Sequence, residues 1–274
     1  MPELPEVETI VRGLRDMIEG RTIVDVIIRV PQMIAFPALD EFENQIMDRE
    51  IIGLARRGKY ILVHLQGKKT MVVHLRMTGR LLVKAKEVDY NKHSHVIFQL
   101  DNNFDLRFHN VRKFGRIYLI DSEEYAQAGG LAKLGPEPLS KEFNIEYFSE
   151  FIKKRKTNIK ALLLNQSFIA GLGNIYADEA LFLAGILPQR SVDTLKSFEM
   201  KKLFTAIQIV LEKAIKAGGT SFSDYRNAQD KKGYFQNELN VYQRDNQECL
   251  KCGEIIEKTK VAGRGTHFCP HCQR

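Results

Sequence analysis

All four cysteines of the 274-residue chain fall within its last 26 residues, as Cys249-x2-Cys252, a gap of 16 residues, and Cys269-x2-Cys272. No other feature restricts the fold as much. Two C-x2-C knuckles can set four thiolates around one tetrahedral ion, so this stretch reads as a zinc module rather than two disulfides. Four cysteines leave no coordination position open, which makes the expected zinc structural and not catalytic. His267 and His271 are alternative ligands by type, but with four thiolates available they are expected to face solvent or a ligand. Between the knuckles lies EKTKVAGRGTHF, whose GRG centre suits a hairpin tip and would hold Arg264 at the end of a rigid module. That arginine reads in two ways, as a solvated turn residue or as a phosphate clamp.

A zinc reading presupposes a reducing compartment, and the rest of the chain agrees. No segment reaches the roughly 18 uninterrupted apolar residues of a membrane span. The amino terminus is acidic and amphipathic, unlike a signal peptide, so a cytoplasmic, nucleoid-associated protein is expected. A hydrophobic fraction of 44% over 274 residues belongs to a globular chain able to bury more than one core. The net charge of +7 and pI of about 9.1 point to a polyanionic partner.

Along the chain, Leu4, Val7, Val11, Leu14 and Ile18 mark the apolar stripe of a first helix, with Pro5 in its first turn and Gly20 as its stop. Short β-branched runs follow at 22–30, 60–65, 71–75, 80–84, 95–100 and 116–120, the pattern of an antiparallel sandwich or barrel. LGPEPLS (134–140) reads as a domain boundary. Helical periodicity then covers 141–153, 157–165, 174–184 and 195–217. The aperiodic stretch from Gly218 has the length of a lid or binding loop. We therefore divide the chain into 1–134, 135–239 with a lid loop at 218–239, and 240–274.

Several groups can carry chemistry. Glu3, Glu6 and Glu8 crowd the start of the first helix, where acids suit the helix dipole. AGLGN (170–174) places two glycines before a helix start, so Asn174 is either a cap or, with the free N–H groups there, a phosphate ligand. KKRKTNIK (153–160) carries five basic residues, and ARRGKY (55–60) and VRKFGR (111–116) carry three each, without an acid among them. Basic runs spread over both halves fit a groove lined for phosphates. Met77, Arg112 and Phe114 read as ordinary packing or as side chains that wedge into a base stack.

PELPEVET, RRGKY, HLRMTGR, VRKFG, LGPEPL, GLGNIYADEALF and VAGRGTHFCPHC together resemble bacterial formamidopyrimidine-DNA glycosylases, from the first residue to the last and in order. The sister endonuclease VIII family reads PEGPE at its start, where this chain has Leu4. The resemblance implies an α+β multidomain fold: an N-terminal β-sandwich with a leading helix, a helix–two-turn–helix domain and a C-terminal β-hairpin zinc finger, with DNA in the cleft between. It implies excision of 8-oxoguanine and ring-opened purines from double-stranded DNA, then strand cleavage by β,δ-elimination; one zinc ion is expected from the cysteines, and a monomer because no oligomerisation surface is evident in the sequence.

In this family Pro2 becomes the terminal residue and the nucleophile, Glu3 the proton donor and Glu6 its support. Lys59 is implied in β-elimination, and Arg264 in δ-elimination and phosphate binding. His93, Arg112, Arg155 and Asn174 fall at DNA-contact positions, with His74 and Lys258 added to that set. Relatives often carry lysine where Arg155 stands. Met77, Arg112 and Phe114 match the residues that fill the gap left by an extruded base, since the target carbon is unreachable inside a duplex. The alternatives are an endonuclease VIII-like enzyme for oxidised pyrimidines and a non-catalytic zinc protein that binds nucleic acid.

Overall fold

The structure, a computed structural model, describes residues 1–153, 155–221 and 233–274. By contacts the chain forms two compact units, Met1–Ala132 with Ala217–Tyr234, and Lys133–Lys216 with Phe235–Arg274. Of the expected lid stretch 218–239, the described residues 218–221 and 233–234 group with the first unit, whereas 235–239 group with the second. Residues 222–232 of that stretch lie outside the described residues.

The first unit begins with α1 (Leu4–Ile18), whose expected stripe is fully buried. Nine strands follow: β1 (Thr22–Ile28), β2 (Ile34–Phe36), β3 (Arg49–Arg57), β4 (Tyr60–Leu65), β5 (Lys69–His74), β6 (Gly79–Ala85), β7 (Ser94–Leu100), β8 (Phe104–Asn110) and β9 (Arg116–Asp121). A helix α2 (Leu39–Ile46) lies between β2 and β3.

The strand order is β2-β9-β5-β4-β3-β1-β7-β8-β6. Only two residue pairs, Thr22 with Glu50 and Ile23 with Arg49, join β3 to β1. A five-strand half and a four-strand half therefore meet at a narrow seam. Both halves and α1 feed one core, in which Ile10, Leu14, Ile61, Val63, Phe98 and Phe108 belong to the same cluster. This is the expected sandwich with its leading helix. It has more strands than the β-branched runs indicated, because β2, β3 and β8 carry charged or short sequences. Apart from the parallel pair of β2 and β9, neighbours are antiparallel.

The second unit holds α3 (Ile145–Lys153), α4 (Ile159–Leu164), α5 (Asn174–Ala184), α6 (Ser197–Lys216) and the hairpin of β10 (Glu257–Val261) and β11 (Arg264–Phe268). α3 and α4 are shorter than the periodicity indicated. Asn158 caps α4 by accepting the Ala161 N–H at 2.7 Å, which fixes a start two residues later than expected. Phe143, Phe148, Phe168 and Phe204 pack through stacked and edge-on ring contacts in the helical core. Gly185 ends α5 in the left-handed region at φ 74°.

Candidate functional site

At the amino terminus the acids prove to have distinct roles. Glu3 is the N-cap of α1 and forms a capping box with Glu6, whose Oε2 accepts the Glu3 N–H at 2.8 Å. Glu6 Oε1 accepts the Thr220 N–H at 2.7 Å. Both carboxylates are buried. Glu8 lies one turn on, bonded to Arg56 at 2.9 Å and Arg12 at 2.8 Å. Burial pushes the Glu8 carboxyl up, but the two guanidiniums outweigh it and hold it below the usual carboxylate range. Helix-start chemistry thus accounts for part of the acidic cluster. Glu6 also reaches beyond the helix. Pro2 is buried at the head of this arrangement, and Met1 before it is 51% exposed.

The segment Glu6 holds is built for close approach. Gly219 has φ +81°, and a Cβ there would stand 2.8 Å from Glu6 Oε1. Ser221 Oγ accepts the Gly233 N–H at 2.9 Å, and Ala217 O accepts the Tyr234 N–H at 2.9 Å. The two ends of the stretch are therefore clasped to each other and to the amino-terminal helix. No sequence motif pointed to this contact, because its partners lie 214 residues apart.

Lys59 sits in the two-residue turn of the β3–β4 hairpin, after Gly58 at φ 56°, and is buried. Its neighbour is His74 at the end of β5. Burial first, then the charges of Arg76 and Lys59, push the His74 pKa down to about 3. His74 Nδ1 accepts the Arg76 N–H at 3.0 Å, and its ring meets Tyr60 edge-on with centroids 4.5 Å apart. His74 is therefore a neutral imidazole whose Nε2–H is left to donate. His93 is half-buried, its ring 5.5 Å from that of His109.

Two turns bring the wedge candidates together. Met77, between β5 and β6, and Phe114, between β8 and β9, are 45% and 50% exposed. Arg112 joins them: its Nη1 lies 3.2 Å from Met77 Sδ, and its guanidinium lies 5.1 Å from the Phe114 ring centroid. Thr78 Oγ1 accepts the Arg112 N–H at 3.1 Å and donates to Asn110 Oδ1 at 3.1 Å, tying the turns to each other. Ordinary core packing does not describe three exposed side chains supported in this way.

In the second unit Gly173 is the N-cap of α5 and Asn174 its first residue. Asn174 Nδ2 donates to Gly265 O at 2.9 Å, which links the helix start to the hairpin. The hairpin turns at Ala262 and Gly263, both at positive φ, so Arg264 is the exposed first residue of β11 rather than the centre of the turn. A buried ion pair supports this junction. Lys160 Nζ meets Asp178 Oδ1 at 2.6 Å, both side chains 0% exposed, and donates to Thr266 Oγ1 at 2.7 Å and Gly265 O at 3.2 Å. Asp178 Oδ2 accepts the His267 N–H at 3.0 Å, so His267 belongs to this network and not to solvent. Lys160 closes the basic run 153–160, and its place on the buried face of α4 separates it from the exposed Lys153 and Lys156. Lys258 is half-exposed, 3.7 Å from Asp245. Arg155 lies over the Phe151 ring at 3.6 Å.

Cys249, Cys252, Cys269 and Cys272 bring their Sγ atoms within 4.8 Å of one another, with 3.9 Å from Cys249 to Cys272 and 3.6 Å from Cys252 to Cys269. Four sulfurs about 2.3 Å from a tetrahedral zinc stand about 3.8 Å apart, so the donor set fits zinc in both chemistry and spacing.

A two-halved β-sandwich led by a helix, a helical unit and a four-cysteine hairpin define a multidomain nucleic-acid enzyme architecture, and comparison with known proteins makes it specific. Residues 1–117 match the formamidopyrimidine-DNA glycosylase N-terminal domain, 134–226 the formamidopyrimidine-DNA glycosylase H2TH domain, and 246–274 the zinc finger found in FPG and IleRS. A formamidopyrimidine-DNA glycosylase of Pediococcus pentosaceus is 47% identical, covering 100% of this chain and 99% of its own length. One from Listeria monocytogenes is 41% identical, covering 100% of both chains.

Among solved structures, a Lactococcus lactis variant in complex with Fapy-dG-containing DNA superposes with a TM-score of 0.94 at 38% identity, covering 100% of both chains. The Thermus thermophilus protein gives 0.90 at 39%, covering 99% of this chain and 98% of its own. The chain belongs to the formamidopyrimidine-DNA glycosylase family.

Proposed function

We propose that the protein excises oxidised purines, 8-oxoguanine and formamidopyrimidines, from double-stranded DNA and then cleaves the strand, with Pro2 as nucleophile. The observation that carries this reading is Pro2 at the head of the Glu3–Glu6 capping box in a chain of this family. Removal of Met1 turns the Pro2 nitrogen from an amide into a secondary amine. An α-amino group with a pKa near 8 is partly unprotonated at neutral pH. Its attack on C1′ breaks the glycosidic bond and expels the base, with Glu3, the next residue in the chain, assigned as proton donor. Loss of the amine proton and opening of the C1′–O4′ bond, whose oxygen takes up a proton, then leave an iminium that acidifies the C2′ proton, and the 3′ and then the 5′ phosphate leave by elimination.

Lys59 is assigned to proton transfer in the first elimination. Its position in a tight turn beside neutral His74 supports this, as does the His74 Nε2–H available to a phosphate. Arg264 and Asn174 are assigned to phosphate binding and Arg264 also to the second elimination. Their shared anchorage at Gly265 supports a preorganised clamp. His93, Arg155 and Lys258 are assigned to DNA contact. Met77, Arg112 and Phe114 are assigned to the space vacated by the flipped nucleotide, with Arg112 facing the orphaned cytosine.

The four cysteines would hold one structural zinc, and its chemistry is to fix the hairpin that presents Arg264. We assign the modules 1–134, 135–239 and 240–274, a monomeric state and a cytoplasmic, nucleoid-associated location. Among the described residues no helix is long and apolar enough to cross a membrane.

Borohydride trapping on a duplex with one 8-oxoguanine opposite cytosine, followed by peptide mapping, tests the assignment. A covalent adduct on Pro2 is expected. Excision without an adduct would remove Pro2 from the chemistry, and a parallel duplex carrying an oxidised pyrimidine separates the endonuclease VIII-like alternative.

A further inference from the structure

α6 is apolar on two sides. Leu203, Ile207, Val210, Leu211 and Ala214 enter the helical core. On a different face, Phe198, Lys202, Thr205 and Ile209 follow one another at helical spacing and line a groove of about 870 Å³, closed by the end of α5 and the second zinc knuckle. Phe198 is 55%, Leu183 51% and Ile209 38% exposed within it. Single exposed hydrophobics need no explanation, but three in one concavity form a patch of the kind that marks an interaction site.

The rim is basic. Lys202, Lys251 and Arg274 line it, and Lys202 Nζ lies 5.5 Å from the Phe198 ring centroid. Its one acid, Glu199, is already taken: Arg190 donates to Glu199 Oε2 at 2.8 Å and to the Arg274 carbonyl at 3.2 Å. The groove is therefore lined by more basic than acidic side chains around an apolar floor. It also stands away from Asn174, the phosphate ligand assigned at the start of α5. Leu183 lies nine residues along α5 from Asn174, about 14 Å at the rise of an α-helix. DNA presents phosphates but no side chain to fill an apolar floor.

We propose that this groove docks an acidic, extended segment of a partner protein carrying an aromatic or branched aliphatic side chain. The apolar side chain sits against Phe198, Leu183 and Ile209, while the acidic residues meet Lys202, Lys251 and Arg274. A second copy of this chain is the poorer occupant, since its net charge of +7 repeats the sign of the rim.

The test uses full-length, zinc-loaded protein and a fluorescein-labelled Asp-rich peptide ending in phenylalanine, beside the same peptide ending in serine. The phenylalanine peptide is expected to bind at least tenfold more tightly. Phe198→Ser and Lys202→Glu are each expected to weaken that binding at least tenfold, while 8-oxoguanine excision stays within twofold of the parent. Equal binding of the two peptides, or variants that bind like the parent, would overturn the proposal. Displacement of the peptide by an abasic-site duplex would move it to the DNA surface and overturn it too. So would concentration-dependent self-association that Phe198→Ser abolishes, since that places a second copy in the groove.

Discussion

Glu6 joins Glu3 to Thr220: one carboxylate oxygen accepts the Glu3 N–H at 2.8 Å and the other the Thr220 N–H at 2.7 Å. The residue that squares off the start of α1 therefore also seats the backbone that follows α6. Both bonds go to one buried carboxyl group, where unmet hydrogen bonds are costly. One side chain thus links the amino-terminal helix to the 217–221 segment, whose ends are also clasped to Gly233 and Tyr234.

Gly219→Ala tests that joint without touching a carboxylate. The new Cβ would meet Glu6 Oε1 at 2.8 Å, and φ at this position is +81°. The backbone cost alone is about 1 kcal/mol or more, and the displaced Glu6 adds to it. A lower unfolding midpoint and at least tenfold slower single-turnover excision are expected. A variant with the parent's rate would mean Glu6 does not need this seat.

Lys160→Met leaves Asp178 as a buried carboxylate without its cation. Removing one partner of a buried pair costs about 3–5 kcal/mol. The loss should appear in urea unfolding, accompanied by weaker binding to an abasic duplex, because Lys160 also holds Gly265 O and Thr266 Oγ1 next to Arg264. A change below about 1 kcal/mol would show that the pair is not formed in solution.

His74 gives the stability a pH dependence of predictable sign. Its folded pKa of about 3 lies below the ordinary 6.5, so above pH 6.5 both states hold the neutral ring. As the pH falls from 6.5 towards 3, the unfolded chain takes a proton that the native protein refuses, and stability is lost. At about 1.4 kcal/mol per unit, His74 alone contributes a loss of about 2 kcal/mol between pH 6.5 and 5. His74→Gln, which keeps an acceptor for the Arg76 N–H, should show a pH 7.5 to 5 decrease in unfolding free energy smaller by that amount. Identical decreases would place the His74 ring in water.

Cys269→Ser removes a fully buried thiolate from the four-sulfur cluster. Zinc content measured by atomic absorption should fall well below one ion per chain, and DNA affinity should fall with it, since metal binding and hairpin order are coupled. Unchanged metal content would mean that the cysteines are not the ligands.

Much of this molecule was legible because its signals are local. The α1 stripe, the start of α5 at Asn174 and the cysteine spacing each depend on residues a few positions apart, and each appears in the structure where spacing put it. β3 and β8 were not legible: REIIGLARR and FDLRFHN carry charges that paired strands and ion pairs accommodate only once the sheet exists. Arg107 in β8, for example, is buried against Asp105 at 2.9 Å. The same limit applies to the site. Met77 and Arg112 were grouped only through the family resemblance, and it is the two turns that make them neighbours. The Glu6–Thr220 and Lys160–Asp178 contacts depend on long-range closure, which no periodicity encodes.

Pro2 is buried while Met1 is exposed at the surface. On the chemistry proposed here, a chain that keeps Met1 is a proenzyme. It is folded and charged for DNA, yet silent, because its reactive nitrogen is still locked in a peptide bond. Activation is a single hydrolysis of the bond between an exposed residue and a buried one. The supply of active molecules in a cell therefore follows the rate of methionine removal from new chains as well as the rate of their synthesis.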